Sequence, residues 1–351
     1  MTDETSVEHL SVVMTTGTAD DVTQTTGANV GRSPLSSRGI QFYFQCAVMV
    51  IGLVGTVANA LILYALVASK QHKKHVLIFH QNVLDFISCV LLIITASVKH
   101  YYYYYSGFDT YWLCLLLKSE YFNWVVILAS KVNLIFVTIE RYLKVVYSTW
   151  SKKNLHNWII CSGTAFAWIS GFVHMTATTI ATSDMKDGKC YTFAFWKDRA
   201  SLIAYRIFYF LYFYVVILII FIFCYWRILV AIRRQARVMA RHGSSTWQAQ
   251  SHELQISVIK TMILVSAFFA ICDLPMNLHF LLTLAGNRSL IILAVYYASM
   301  FMSFLYICAN PFIYATKFDP VKRVLLSLIP CKMASVEPSE CIELPANRMV
   351  K

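Results

Sequence analysis

Residues 115–145 read LLLKSEYFNWVVILASKVNLIFVTIERYLKV. The run is apolar apart from isolated polar side chains, and it closes on Glu140-Arg141-Tyr142. As a helix it rises 1.5 Å per residue, so about 20 residues cross the ~30 Å hydrocarbon core of a bilayer. This run is long enough to cross. Two of its charges need different accounts. Lys131 lies in the middle, where an ammonium is costly, and Arg141 lies at the end, where a snorkelling side chain reaches water.

Six apolar stretches of similar length accompany it: Phe42–Ala68, Val76–Val98, Trp158–Ala181, Leu202–Leu229, Ile256–Leu284 and Leu290–Tyr314. The chain has 351 residues, of which 58% are apolar and only 14% charged. A soluble domain carries nearer half apolar and a quarter charged. The expected fold is all-α, a seven-transmembrane helix bundle. The second stretch is interrupted by His80, Gln81, Asn82 and Asp85, so its polar groups must turn inward to other helices. No internal repeat is visible, which counts against a transporter built from duplicated halves.

The flanks differ in composition. Residues 1–40 are rich in Ser, Thr, Gly and Asp and read as a disordered extracellular tail. They lack a basic region followed by an apolar one, so no cleavable signal peptide is expected and the first span serves as the membrane signal. The bundle is expected over 41–316. Residues 317–331 then read as an amphipathic helix on the membrane surface, and 332–351 as a cytoplasmic tail.

Orientation follows from the loops. Lys70, Lys73 and Lys74 lie between spans one and two, and Lys152 and Lys153 between three and four. Arg233, Arg234 and Arg237 lie between five and six, and Lys322 and Arg323 after seven. Short loops rich in Lys and Arg stay in the cytoplasm, which puts the N-terminus outside. The net charge of +12 is therefore a topology signal that also suits anionic inner-leaflet lipid, and nucleic acid is not an expected partner. Asn287-Arg288-Ser289 is then an outward N-glycosylation acceptor, and Cys114 and Cys190 face an oxidising compartment. The ten cysteines include no C-x-x-C pair, and no metal or cofactor set is visible.

Glu140-Arg141-Tyr142 reads either as a snorkelling interfacial cluster or as a switch, in which a carboxylate holds an arginine until a partner draws it away. Asp85 must face the interior, as a packing hydrogen bond or as a functional carboxylate, with Asn59 of Gly55-Thr-Val-Ala-Asn59 a plausible neighbour. In Asn310-Pro311-Phe312-Ile313-Tyr314 the proline removes a backbone hydrogen bond and makes a hinge. Cys331 ends the amphipathic segment and suits palmitoylation.

On these motifs the chain, from about Phe42 to Cys331, resembles the rhodopsin-like (class A) G-protein-coupled receptors. Asn59, Asp85, Trp168, Tyr225, Pro275 and Asn310 to Tyr314 match the family's marker positions, and Glu140-Arg141-Tyr142 matches its D/E-R-Y triplet. The resemblance implies that Arg141 meets a heterotrimeric G protein when helix six swings outward, and that Tyr225 and Tyr314 stabilise that open state. It also implies a Cys114–Cys190 disulfide, although the spacing from Cys114 to Arg141 is longer than the family pattern. The general texture is similar to invertebrate peptide- or melatonin-like orphan receptors.

Three positions depart from the family pattern. The usual C-W-x-P of span six is Cys272-Asp273-Leu274-Pro275, which replaces the tryptophan toggle by an aspartate. The usual proline of span five is Ile217, and a usually small aliphatic position of span three is Lys131. Side chains lean toward the N-terminus of their own helix. Spans three and six run in opposite directions, so Lys131 and Asp273 lean toward each other. The expectation is a buried ion pair in place of the toggle. The rival is Lys131 reaching Asp85, although Ser130 is the residue placed to face Asp85. Either arrangement puts the family's usual sodium site in doubt.

For the ligand, the position where the family's amine receptors carry an aspartate is Asn123, and the retinal-bearing position of opsins is Phe304. The candidate pocket is Lys118, Glu120, Asn123, Trp124, Tyr205, Asn277, His279 and Tyr297, a mixture that suits a peptide-like ligand better than an amine. The expected function is transduction of extracellular ligand binding to a G protein, without enzymatic chemistry. The alternatives are a receptor-like binding protein that does not signal, and a proton or ion transporter using Lys131, Asp273 and Asp85 as a relay.

Overall fold

The computed structural model of the protein describes residues 37–101, 112, 114–186, 189–193, 195–242, 246–282 and 290–328. Seven of its helices are long and apolar enough to cross a membrane. In chain order they are α1 (Ser37–Ala68), α2 (Val76–Tyr101), α3 (Tyr121–Val146) and α4 (Asn157–Thr182). The fifth, α5, is one rod in three parts: Arg199–Phe210, a π-helical turn Leu211–Val215, and Val216–His242. Then come α6 (Thr246–Leu282) and α7 (Leu290–Lys317). The short α8 (Asp319–Ser327) follows, with Pro320 near its N-terminus and Asp319 in its first turn. A small antiparallel hairpin, β1 (Asp184–Lys186) with β2 (Lys189–Tyr191), links α4 to α5.

The centre of the bundle is α3. In its most apolar segment 72% of residues are buried, against 28% in α1, α4 and α5, whose other faces are left to the surroundings. Close approach is secured by two glycines. A Cβ on Gly171 of α4 would sit 2.5 Å from the Val125 carbonyl oxygen of α3. A Cβ on Gly55 of α1 would sit 2.6 Å from the Cys89 sulfur and 3.0 Å from Cys308, so α1, α2 and α7 meet only because that position is bare. The polar groups of α2 do turn inward: Gln81, Asn82 and Asp85 are fully buried.

Several boundaries differ from the hydropathy reading, for physical reasons. The first helix starts at Ser37, within the stretch read as tail. The fifth starts at Arg199 because Asp198 forms a capping box with Ser201, whose backbone N–H donates to Asp198 Oδ1 at 2.6 Å. The sixth starts at Thr246, well before the apolar stretch, because a helix continues past the hydrocarbon without any hydropathy signal. Between the π turn Cys114–Lys118 and α3, Glu120 takes a left-handed backbone (φ 55°). That broken segment absorbs the extra length between Cys114 and Arg141. The side chains of Cys114 and Cys190 lie outside the described part of the structure, as do Asn287, Cys331 and both tails, so the expected disulfide, glycan and lipid sites are not seen.

Candidate functional site

Three polar centres follow one another along α3. The first is the floor of a cavity of about 140 Å³ that opens at the end of the bundle bearing the β-hairpin. There the Lys131 ammonium donates to Asp273 Oδ2 at 2.8 Å, with both side chains 3% exposed. Asp273 also accepts from Asn277 Nδ2 at 2.7 Å, one turn along α6, and from Ser303 Oγ of α7 at 3.2 Å. The ammonium lies 5.9 Å from the centre of the Tyr209 ring and 5.8 Å from that of Phe269, where cation–π attraction adds to the ion pair. The pair thus ties α3 to α6, with α7 attached through Ser303.

Of the candidate ligand residues, Lys118, Glu120, Trp124, Tyr205, Asn277 and Tyr297 line this cavity. Asn123 and His279 do not. Asn123 is fully buried, and neither end of its amide meets a hydrogen-bond partner among the described residues. The His279 ring packs against Tyr296, with centroids 5.4 Å apart. Met276, Phe280, Met300 and Phe304 complete the apolar wall.

The second centre surrounds Asp85. Its Oδ1 accepts from Gln81 Nε2 at 3.2 Å and Ser130 Oγ at 3.1 Å, and its Oδ2 from Asn310 Nδ2 at 2.8 Å. Lys131 takes no part, and neither does Asn59. The Asn59 amide instead donates to the Gly55 carbonyl at 3.0 Å and approaches the Cys89 sulfur at 3.6 Å. Missed by the sequence reading is a chain of donors leading in from α4. Trp168 Nε1 donates to His80 Nε2 at 3.0 Å, which leaves His80 Nδ1 to carry the proton toward Asn133 Oδ1 at 3.2 Å. Asn133 Nδ2 then donates to Gln81 Oε1 at 2.8 Å. Every link points toward the carboxylate.

The third centre is at the C-terminal end of α3. Glu140 lies between Lys144 Nζ, at 2.5 Å, and Arg141 Nη2, at 3.1 Å. The contact with Arg141 is one of charge, because Glu140 Oε2 makes no hydrogen bond. Arg141 Nη2 donates instead to His75 Nδ1 at 2.9 Å. Burial, and then the Arg141, Lys144 and Lys74 cations, push the His75 imidazole down from 6.5 to about 3, so it stays neutral and accepts. No signal in the sequence singled out His75. A cavity of about 310 Å³ lies here, lined by Lys74, His75, Arg141, Lys144, Gln255 and Phe318.

Tyr142 is turned away from Arg141 and packs on Tyr147 and Phe223. The Tyr225 hydroxyl joins Thr138 of α3, at 3.1 Å, to Ser266 of α6, at 2.8 Å, and donates to the Met262 carbonyl at 3.2 Å. Ser257 of α6 donates to the Lys317 carbonyl of α7 at 2.8 Å. These bonds tie α6 to α3, α5 and α7, so Tyr225, expected from the resemblance to stabilise an open state, here serves the packed one. Tyr314 is buried, with no partner for its hydroxyl among the described residues. Pro275 and Pro311 both lie inside their helices, where each removes one backbone hydrogen bond.

The sequence model of the family described as 7 transmembrane receptor (rhodopsin family) matches residues 58–314. No curated protein matches the chain.

Proposed function

The chain belongs to the rhodopsin family of seven-transmembrane receptors, and from that premise we propose that it turns the binding of an extracellular ligand into activation of a heterotrimeric G protein. It is a multi-pass membrane protein. In this reading it sits in the plasma membrane with the N-terminus outside, as the basic loops require. The hairpin end of the bundle then faces the ligand and the Arg141 end faces the G protein. Residues 1–40 form the outer tail, 41–316 the bundle, 317–331 the membrane-surface helix and 332–351 the inner tail.

The observation that carries this reading is the Lys131–Asp273 pair. It forms the floor of the outer cavity and bridges α3 to α6. A ligand touching the floor therefore acts on the helix whose far end Tyr225 and Ser257 tie to its neighbours. The ion pair takes the place of the family's aromatic toggle, and Arg141 is the group released at the inner face. The ligand must favour the open state over the closed one, by about 5.5 kcal/mol for a near-complete switch.

The cavity also bears on the kind of ligand. Its volume of about 140 Å³ is below the ~300 Å³ at which pockets begin to enclose a drug-sized molecule. A larger ligand enters by one end only, which suits a peptide-like molecule.

The test is guanine-nucleotide exchange on a panel of G proteins, with the full chain and its Arg141→Ala variant in membranes. Exchange that depends on Arg141 is expected. Exchange that persists unchanged in Arg141→Ala would remove the switch, and no exchange with any G protein under ligand screening would favour a binding protein that does not signal.

A further inference from the structure

The hydrogen-bonding capacity at the cavity floor is nearly full. A carboxylate offers about four acceptor sites, and Asp273 already receives Lys131, Asn277 and Ser303. An ammonium offers three donors. Asp273 takes one of those on Lys131 and the Tyr209 hydroxyl engages a second, which leaves a third. Both residues line the cavity, and a donor on the cation is still open at its floor. Asp273 is also Lys131's one anionic partner among the described residues.

Consider the groups that could arrive. A cation would crowd a second positive charge against Lys131 and compete for acceptor sites that are nearly full. A neutral hydroxyl or amide cannot replace a carboxylate as counter-ion to a buried ammonium. An anion meets the open donor and can take Lys131 over completely. Asp273 is then still held by Asn277, on its own helix, and by Ser303 on α7. This exchange keeps Lys131 paired and leaves Asp273 to two neutral donors, while it undoes the tie between α3 and α6. Above the floor the walls are Trp124, Ile127, Leu128, Met276, Phe280 and Met300, which suit an apolar stem.

We infer that the end group this receptor recognises is a carboxylate on an apolar stem, which exchanges with Asp273 for Lys131. The inference rests on the outer cavity being the ligand site. A peptide C-terminus and a lipid-like acid both present this chemistry.

The experiment uses the full chain in lipid nanodiscs and follows thermal unfolding against added probe. Two matched pairs serve as probes: octanoate against octanamide, and a hydrophobic tetrapeptide with a free against an amidated C-terminus. In the native protein at least one acid is expected to stabilise more than its amide, and which pair does so identifies the source. Asp273→Asn removes the competing carboxylate and is expected to tighten acid binding at least tenfold. Lys131→Gln combined with Asp273→Asn keeps the floor neutral and is expected to erase the preference for acid. Equal shifts for acid and amide in both pairs would overturn the inference, as would a preference that survives in the double variant. Should Asp273→Asn fail to fold, the native chain and the double variant still decide. Nucleotide exchange read in the same nanodiscs separates the two claims. A preference for acid without exchange keeps the carboxylate site and removes the signalling reading, whereas Arg141-dependent exchange without that preference does the reverse.

Discussion

The middle and the C-terminal end of α3 each bury a charged pair, and the pairs are built differently. Lys131 and Asp273 belong to different helices, and their bond fastens α3 to α6. Glu140 and Arg141 are neighbours on one helix, so their contact fastens nothing. What restrains Arg141 between helices is a neutral acceptor, His75, at the start of α2. A buried ion pair is strong against the loss of one partner, whereas a bond to a neutral ring is cheap to exchange. The helix-locking charge pair thus lies where a ligand reaches it, and the arginine is held by a bond that yields readily.

The sharpest way to break this contrast is to strip one charge. Lys131→Met leaves Asp273 buried without its cation and is expected to cost about 3–5 kcal/mol. Asp273→Trp alone is expected to cost a similar amount, by stranding Lys131. The double variant should recover much of the loss. Thermal unfolding and surface expression measure the cycle, and additive losses would mean that the two residues do not act as a pair. At the C-terminal end, Glu140→Gln should cost much less stability, because Arg141 keeps His75.

The next effect concerns His75. Replacing it with Phe removes a hydrogen bond to a charged group, worth about 1.5–3 kcal/mol, and basal nucleotide exchange should rise. The pH dependence has a definite sign. His75 is held near 3 in the folded chain, against an ordinary 6.5. As pH falls through about 6.5, any state that has released His75 gains a proton that the closed state refuses. The closed state therefore loses stability on acidification and basal exchange climbs. His75→Phe should flatten that climb between pH 7 and 5.5, and an unaltered slope would assign it to another group. The smallest effect is expected from Tyr225→Phe, which loses the hydroxyl joining Thr138 to Ser266. A cost of about 1 kcal/mol is expected, visible as a modest rise in exchange.

How much of this was legible depended on what each feature is made of. Seven spans follow from hydropathy and length, and the approach of Lys131 to Asp273 follows from the tilt of side chains on opposed helices. Both are rules about regular helices, and they hold where α3 and α6 are regular. Above Tyr121 regularity ends. The π turn Cys114–Lys118 and the left-handed Glu120 change which residues face the cavity, and no side-chain pattern announces such a break. Asn123 and His279 lie within regular helix, and both fall outside the lining. The start of α5 was readable in principle, since Asp198 and Ser201 spell a capping box, but hydropathy pointed to Leu202. His75, and the thiols of Cys89 and Cys308 only 3.5 Å apart, are meetings of distant segments that a single sequence does not encode locally.

The π turn Leu211–Val215 has a bearing on how this helix tolerates change in length. Such a turn accommodates one residue beyond what an α-helix of the same rise requires, so it acts as a reserve. Deleting a residue inside it would let the rod close into plain α-helix, with Tyr205 and Tyr209 keeping their azimuth toward the cavity. The same deletion between Val216 and Tyr225 would swing one part of the rod against the other by about 100°. Tyr209 or Tyr225 would then lose its place. The fifth helix can therefore be shortened at one point without losing the alignment of its two ends.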